Sequence, residues 1–285
     1  MVWCASASAE RVRVATYNVE NYVVSDRMVE GVYHTSYPKP ESEKAALREI
    51  IRQLHADIVV LQEMGPPPYL RELQRDLRQE GDDYAFADVL EGSDDVRHLA
   101  VLSRRSLVVT KHTDLSFEYF GTAQLMKRGM LELRAKIGKA ELTLFVLHLK
   151  SRFTDRPDDP ESLKRRTAEA RASRNRILQL MGDPATSRYA VLGDFNDAPR
   201  SKPLLALSRR GKTILAEPLA AADSRGETWT HFFKKEESYS RIDYVLVSPA
   251  LKNAVVDGRA RILDTPQTLL ASDHRPLVVE FDVGD

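Results

Sequence analysis

Cysteine is almost absent from this chain: Cys4 is the single thiol in 285 residues. That excludes an internal disulfide framework and any cysteine-based metal cage, and it leaves the redox compartment open. Net charge is missing too, because 42 Lys and Arg balance 42 Asp and Glu. The overall charge therefore announces no nucleic-acid or membrane-surface binder, and a polyanion would have to be met by a local patch. No apolar run approaches the roughly 20 residues that cross a bilayer as a helix. Linkers rich in Gly and Ser are lacking, as is any repeat at a fixed period, so residues 11–285 read as one domain.

What is present is enough apolar material, 42% of residues, for one large core or two modest ones. The first ten residues, MVWCASASAE, alternate Ala5, Ala7 and Ala9 with serine, as signal-peptidase sites often do. They lack a basic segment and an apolar core. Residues 1–10 are read either as a short disordered tail or as the remnant of an export signal, so cytoplasmic and exported locations both stay open. A monomer is expected.

Strands and helices interleave along the rest. Alternation predicts a strand over Val12–Val19, and helical spacing follows over Glu41–His55. A short strand over Asp57–Leu61 precedes a break at Pro66-Pro67-Pro68 and a helix over Leu70–Gln79. Strands are expected over Tyr84–Val89, Leu99–Ser103, Met130–Ile137 and Leu142–Leu149, the last apolar on both faces and so buried on both. A long helix over about Glu161–Met181 ends near Gly182, and strands over Tyr189–Leu192, Ile242–Val247 and Pro276–Phe281 close the chain. This pattern suggests two packed sheets covered by helices.

Polar residues fall where these strands stop. Asn18 and Glu20 end the first strand two residues apart, on one face of an extended chain. Glu63 follows IVVL after Gln62, and His148 and Lys150 close LTLFVLHLK. Asp194 and Asn196 follow AVLG, Asp243 opens DYVLV, and Asp273 with His274 precedes RPLVVEF. Each motif alone has a plain explanation: GDFN is a turn in which Asp and Asn bond their own backbone, and SDH a capped turn. Their joint appearance, each at a strand tip, points to one site.

The ordered set TYNVEN, LQE, LHLKS, GDFN, RIDYVL and SDHRP resembles the endonuclease/exonuclease/phosphatase superfamily, which includes deoxyribonuclease I-like enzymes, sphingomyelinases and inositol-polyphosphate 5-phosphatases. The resemblance spans about Arg11 to Phe281 and implies a deoxyribonuclease I-like, four-layer α/β sandwich: two packed mixed β-sheets flanked by helices. It also implies attack of water on a phosphate ester. A hard cation, Mg²⁺ with Mn²⁺ or Ca²⁺ as alternatives, suits that chemistry, because it takes oxygen ligands and keeps several waters.

On the family pattern Glu63 is the principal metal ligand, with Glu20, Asn18 and Asp273 completing or orienting the shell. Glu20 stands where many relatives carry Asp or another residue. His274, oriented by Asp243, is either base or charged phosphate clamp. Asp194 positions or deprotonates the attacking water, and Asn196 donates to a phosphate oxygen. His148 bonds a phosphate oxygen or protonates the leaving oxygen; abasic-site enzymes of the family tend to carry tyrosine there. Arg128 stands where deoxyribonuclease-like members place a phosphate-contacting arginine, alongside Asn18, His148 and Asn196 as substrate contacts.

The segment LKRRTAEARASRNR, with Lys164, Arg165, Arg166, Arg171, Arg174 and Arg176, is either a solvated helix face or a polyanion-binding border. Aromatics in the loop Val23–Pro40 and in Trp229–Tyr239 either stack bases or pack. The sequence shows no obvious long apolar hairpin of the kind a lipid substrate would favour. The expected function is a metal-dependent phosphodiester hydrolase, first a nuclease on DNA or RNA. The alternatives are a phosphatase or a phospholipid or inositol-phosphate phosphodiesterase, and, in another class, an inactive binding module.

Overall fold

The computed structural model describes residues 10–154 and 156–284; the expected tail or signal remnant lies almost wholly outside them. The strands that position the site are β1 (Arg11–Tyr22), β2 (Ile58–Met64), β3 (Phe86–Leu90), β4 (His98–Ser103) and β5 (Leu107–His112), followed by β6 (Met130–Ile137), β7 (Ala140–His148), β8 (Tyr189–Asp194), β9 (Asp243–Val247) and β10 (Leu277–Asp282). The main helices are α1 (Glu41–Leu54), α2 (Pro67–Gln79) and α3 (Leu163–Met181). α2 starts three residues before the position that the proline break suggests, because proline's fixed φ and missing N–H suit a helix's first turn.

One sheet runs Ala221–Ala222, Ala260–Ile262, β10, β1, β2, β4, β3; the other runs Glu217–Pro218, β9, β8, β7, β6, β5. Both are mixed: β1 with β2 and β7 with β8 are parallel, while β1 with β10 and β8 with β9 are antiparallel. Three apolar layers separate four structural ones. Val12, Val14, Leu144, Val146, Leu192 and Val245 lie between the sheets. Tyr17, Leu47, Ile50 and Leu73 fill the space between the first sheet and α1 and α2. Phe145, Leu147, Ala170 and Ile177 do the same between the second sheet and α3. The four-layer sandwich is as the sequence implies, and β7 is buried on both faces.

The segment 23–40 departs from the expected loop. It forms a hairpin of Ser25–Val29 and Val32–Tyr37. Glu30 and Gly31 both take positive φ, 51° and 80°, the geometry of a two-residue turn whose twist matches that of the strands. No helix among the described residues is long and apolar enough to cross a membrane.

Candidate active site

Strand parity explains where the polar side chains go. Val12 and Val14 of β1 face the other sheet, and Asn18 continues that face; Leu144 and Val146 of β7 lead to His148, Ala190 and Leu192 of β8 to Asp194, and Val247 and Val245 of β9 to Asp243. The inter-sheet core therefore ends in a polar layer. Register aligns it, because His148 pairs with Asp194 across β7 and β8, and Asp194 with Asp243 across β8 and β9. Gly193 permits this pairing: at φ 137° a side chain is already strained, and a Cβ would sit 1.9 Å from the Leu147 carbonyl oxygen.

Asp194 is the hub. Its Oδ2 accepts from Asn18 Nδ2 of the facing sheet at 3.0 Å and from Asn196 Nδ2 at 3.2 Å, while Oδ1 accepts the Asn196 N–H at 2.8 Å. His148 Nε2 lies 3.4 Å and His274 Nε2 3.9 Å from the same Oδ2. The turn that follows β8 is fixed from both sides: Phe195 stacks on Tyr244, and Asp197 pairs with buried Arg166 at 2.8 Å. That arrangement explains why an apolar strand ends in GDFND.

Electrostatics separates the acid–base groups. Burial, then the adjacent Asp243 carboxylate, pushes Asp194 up to about 7. Burial opposes charge on His274, yet Asp243 at 2.9 Å from Nδ1, with Asp273 and Asp194 beyond, outweighs it and holds the ring well above the ordinary imidazole range. Burial and then Arg128 hold His148 well below it, so that ring is neutral.

At the other side of the cavity stand carboxylates. The chain leaves extended geometry at Glu20 and Asn21, with φ 46° and 52°, so the alternation that would set Glu20 on the face of Asn18 fails there. Glu20 instead accepts the Asp273 N–H at 3.0 Å, and burial, then Asp273, push its carboxyl up to about 7. Glu63, at φ 62° in a break of the β1–β2 and β2–β4 pairing, accepts the Asn21 N–H at 3.1 Å and lies 3.9 Å from His148 Nε2. Asn18 has both ends engaged, its Oδ1 taking the Glu20 N–H at 3.0 Å.

The donor set fits a hard cation. Glu20, Glu63 and Asp273 border one cavity of about 500 Å³. Asn21 Oδ1 is buried there without a hydrogen-bond partner, and burial, then the Asp273 carboxylate, raise the Glu20 carboxyl. Ligand atoms within 4.8 Å of one another come from Asp194, Asp243 and His274 and from His231, Asp273 and His274; neither Glu20 nor Glu63 belongs to either group.

Arg128 lines the cavity, held by Asp94 at 3.2 Å and the Leu149 carbonyl at 3.1 Å. The basic segment of α3 mostly does not. Arg165 reaches the cavity, whereas Arg166 is buried against Asp197, Arg174 bonds the Ala206 carbonyl and Arg176 pairs with Asp114. Sequence reading missed Arg97, Lys127 and His231, which also line the cavity, because none stands in a strand-tip motif. Lys150, read only as a neighbour of His148, lines it as well. No long apolar hairpin was expected, and the hairpins present are short, yet they expose apolar side chains. Met28 is 60%, Val32 57% and Tyr33 60% exposed on the Ser25–Tyr37 hairpin, and Phe233 and Tyr239 are exposed on a hairpin that carries His231. They fall in pairs at most, Met28-Val29, Val32-Tyr33 and Phe232-Phe233, and so make no long apolar run in the sequence.

A family profile described as the Endonuclease/Exonuclease/phosphatase family matches residues 15–274. Sphingomyelinase C from Streptomyces griseocarneus is similar in structure, with a TM-score of 0.62, 16% identity, and coverage of 95% of this chain and 99% of that one. The human Nocturnin catalytic domain gives a TM-score of 0.63 at 18% identity, over 95% of this chain and 94% of the other. Truncated Caenorhabditis elegans TDP2 gives 0.61 at 17%, over 96% and 98%. No curated protein matches in sequence.

Proposed function

This chain belongs to the endonuclease/exonuclease/phosphatase family, a family of phosphoric-ester hydrolases, and on that premise we propose that it hydrolyses phosphodiesters with a divalent cation, a nucleic-acid strand being the first substrate. The observation that carries this reading is the convergence of Asn18, His148, Asn196 and His274 on buried Asp194.

Asp194, poised near neutrality, takes a proton from the attacking water. His274 is charged and fixed by Asp243, so it acts as a clamp on a phosphate oxygen rather than as the base. Asn196 Nδ2 holds Asp194 and the Leu149 carbonyl in the free protein, and it donates to a second phosphate oxygen as charge develops, an effect of about 3 kcal/mol per donor, by exchanging one of these two partners. Neutral His148 donates a hydrogen bond to the phosphate or the leaving oxygen. Glu63, Glu20 and Asp273 would hold Mg²⁺, which when bound neutralises phosphate charge and acidifies water. Asn18 orients Asp194 from the facing sheet.

A second reading, a phosphodiesterase acting on lipid head groups, is favoured by the exposed apolar side chains of two hairpins, one of which carries the cavity-lining His231. A panel of plasmid, single-stranded DNA, RNA, inositol phosphates and sphingomyelin vesicles, each with Mg²⁺, Mn²⁺ and Ca²⁺, tests both. Cleavage of nucleic acid supports the first reading, cleavage of sphingomyelin alone supports the second, and turnover of none of them refutes both.

A further inference from the structure

The turn that carries Glu20 and Asn21 is held from behind. Two consecutive non-glycine residues at φ 46° and 52° are strained, and such a backbone persists only where its surroundings over-determine it. Here the surroundings are two cations. Lys39 Nζ, on a side chain with no exposed surface, donates to the Glu20 carbonyl at 3.2 Å. Arg27 Nη2 donates to the Asn21 and Val23 carbonyls at 2.8 and 2.7 Å. Glu43, in the first turn of α1, fastens both cations: its Oε2 lies 3.3 Å from Lys39 Nζ and 3.8 Å from Arg27 Nη1.

The peptide carbonyls of the turn therefore meet the cations, while its side chains meet the cavity. Glu20 and Asn21 both line that cavity, Asn21 Oδ1 is buried without a partner, and the Asn21 N–H bonds Glu63 at 3.1 Å. Arg27 and Lys39 do not line it. Arg27 Nε also donates to the Tyr37 carbonyl at 3.2 Å, so one guanidinium closes the base of the Ser25–Tyr37 hairpin and grips the turn. Burial, then Asp273, raise the Glu20 carboxyl, and the Lys39 ammonium opposes that rise, so its charge is felt at the carboxylate itself. As a charge alone, Lys39 would repel an arriving cation, and its removal would tighten binding. As a brace, its removal would loosen the turn and weaken binding.

Resting on the assignment of Glu20, Glu63 and Asp273 to a divalent cation, we propose that Arg27 and Lys39 are positioning residues for that site. They lock the left-handed turn before a cation arrives, so that Glu20 and Asn21 need no reordering when it binds. The base of the hairpin and the start of α1, through Glu43, become supports of the site.

Mn²⁺ binding, read from the free-ion electron paramagnetic resonance signal, tests this without turnover. Lys39→Met and Arg27→Gln are each expected to weaken Mn²⁺ about tenfold. The Mg²⁺ concentration that half-activates hydrolysis of bis-p-nitrophenyl phosphate should rise in parallel, with kcat at saturating Mg²⁺ falling by about threefold or less. Lys39→Met/Glu43→Gln removes the buried pair together, leaves no lone Glu43 carboxylate, and stands in should Lys39→Met alone not fold. A merely structural part would lower the melting temperature and leave the Mn²⁺ constant of the folded protein at the wild-type value. Unchanged or tighter Mn²⁺ binding by a folded variant at either position overturns the proposal and leaves the cation assignment standing. Wild-type protein that binds no Mn²⁺ sinks that assignment, and the proposal with it.

Discussion

His274 Nδ1 and Asp243 Oδ2 lie 2.9 Å apart, both buried, joining the start of β9 to the turn that enters β10. One carboxylate thereby sets the charge of the imidazole that faces Asp194. Because Asp243 also raises Asp194, it tunes both groups at once.

The pH profile follows. Asp194 works deprotonated and His274 protonated, so kcat/KM should rise through about pH 7 and fall at higher pH as His274 loses its proton. Asp243→Asn removes the charge that raises both, so both limbs should move to lower pH, with a rate loss of about 100-fold, or ~2.7 kcal/mol. Unmoved limbs in a stopped assay across pH 5 to 10 would show that the pair does not tune the chemistry.

Glu63→Ala should abolish Mg²⁺-dependent hydrolysis of bis-p-nitrophenyl phosphate while leaving the far-ultraviolet circular dichroism intact, since Glu63 lies at a pairing break rather than within the ladder. Unchanged turnover would remove Glu63 from the metal site.

Glu20 offers a stability readout. Its folded carboxyl, at about 7, lies above the unfolded value, so without metal the folded state holds the proton more tightly and stability falls as pH rises from about 4.5 through 7. In EDTA at pH 8, Glu20→Gln escapes that cost and should melt about 5 °C higher than wild type, with the gain vanishing near pH 4.5. The same gain at both pH values would rule out carboxylate repulsion as its source.

Gly193→Ala should cost about 3 kcal/mol or more, because the added methyl meets the Leu147 carbonyl oxygen across β7 and β8. Chemical denaturation measures it. A loss below 1 kcal/mol would mean that the strands shift freely and that the His148–Asp194 register is not enforced.

The hairpins discriminate between substrates. If they serve a lipid surface, Met28→Ser/Val32→Ser/Tyr33→Ser should lower sedimentation with sphingomyelin vesicles at least fivefold, leaving nuclease activity in place. Equal sedimentation of wild type and variant would count against the lipid reading.

The sandwich was legible because each core strand carries its own apolar pattern, and β6 runs Met130–Ile137 as the alternation predicts. The polar tips of β1, β7, β8 and β9 were legible because they extend the parity of the core face. Glu20 was misplaced because its left-handed backbone breaks that parity, which periodicity cannot register. The Ser25–Tyr37 hairpin was read as a loop because its strands, SDRMV and VYHTSY, are five and six residues long and carry no regular apolar alternation. Arg97 and Lys127 reach the cavity only through packing of distant segments, and the basic run of α3, open in the sequence between a solvated face and a polyanion border, instead spends Arg166, Arg174 and Arg176 on structural partners.

Turnover of bis-p-nitrophenyl phosphate by wild type and by Asp194→Asn, each with Mg²⁺ and with EDTA at pH 8, bears most directly on the idea that a buried carboxylate between two sheets activates water at a phosphate. The account predicts metal-dependent turnover in the wild type and a loss of about a thousandfold or more in the folded variant. Equal rates for the two proteins, or a wild-type rate indifferent to EDTA, would contradict it.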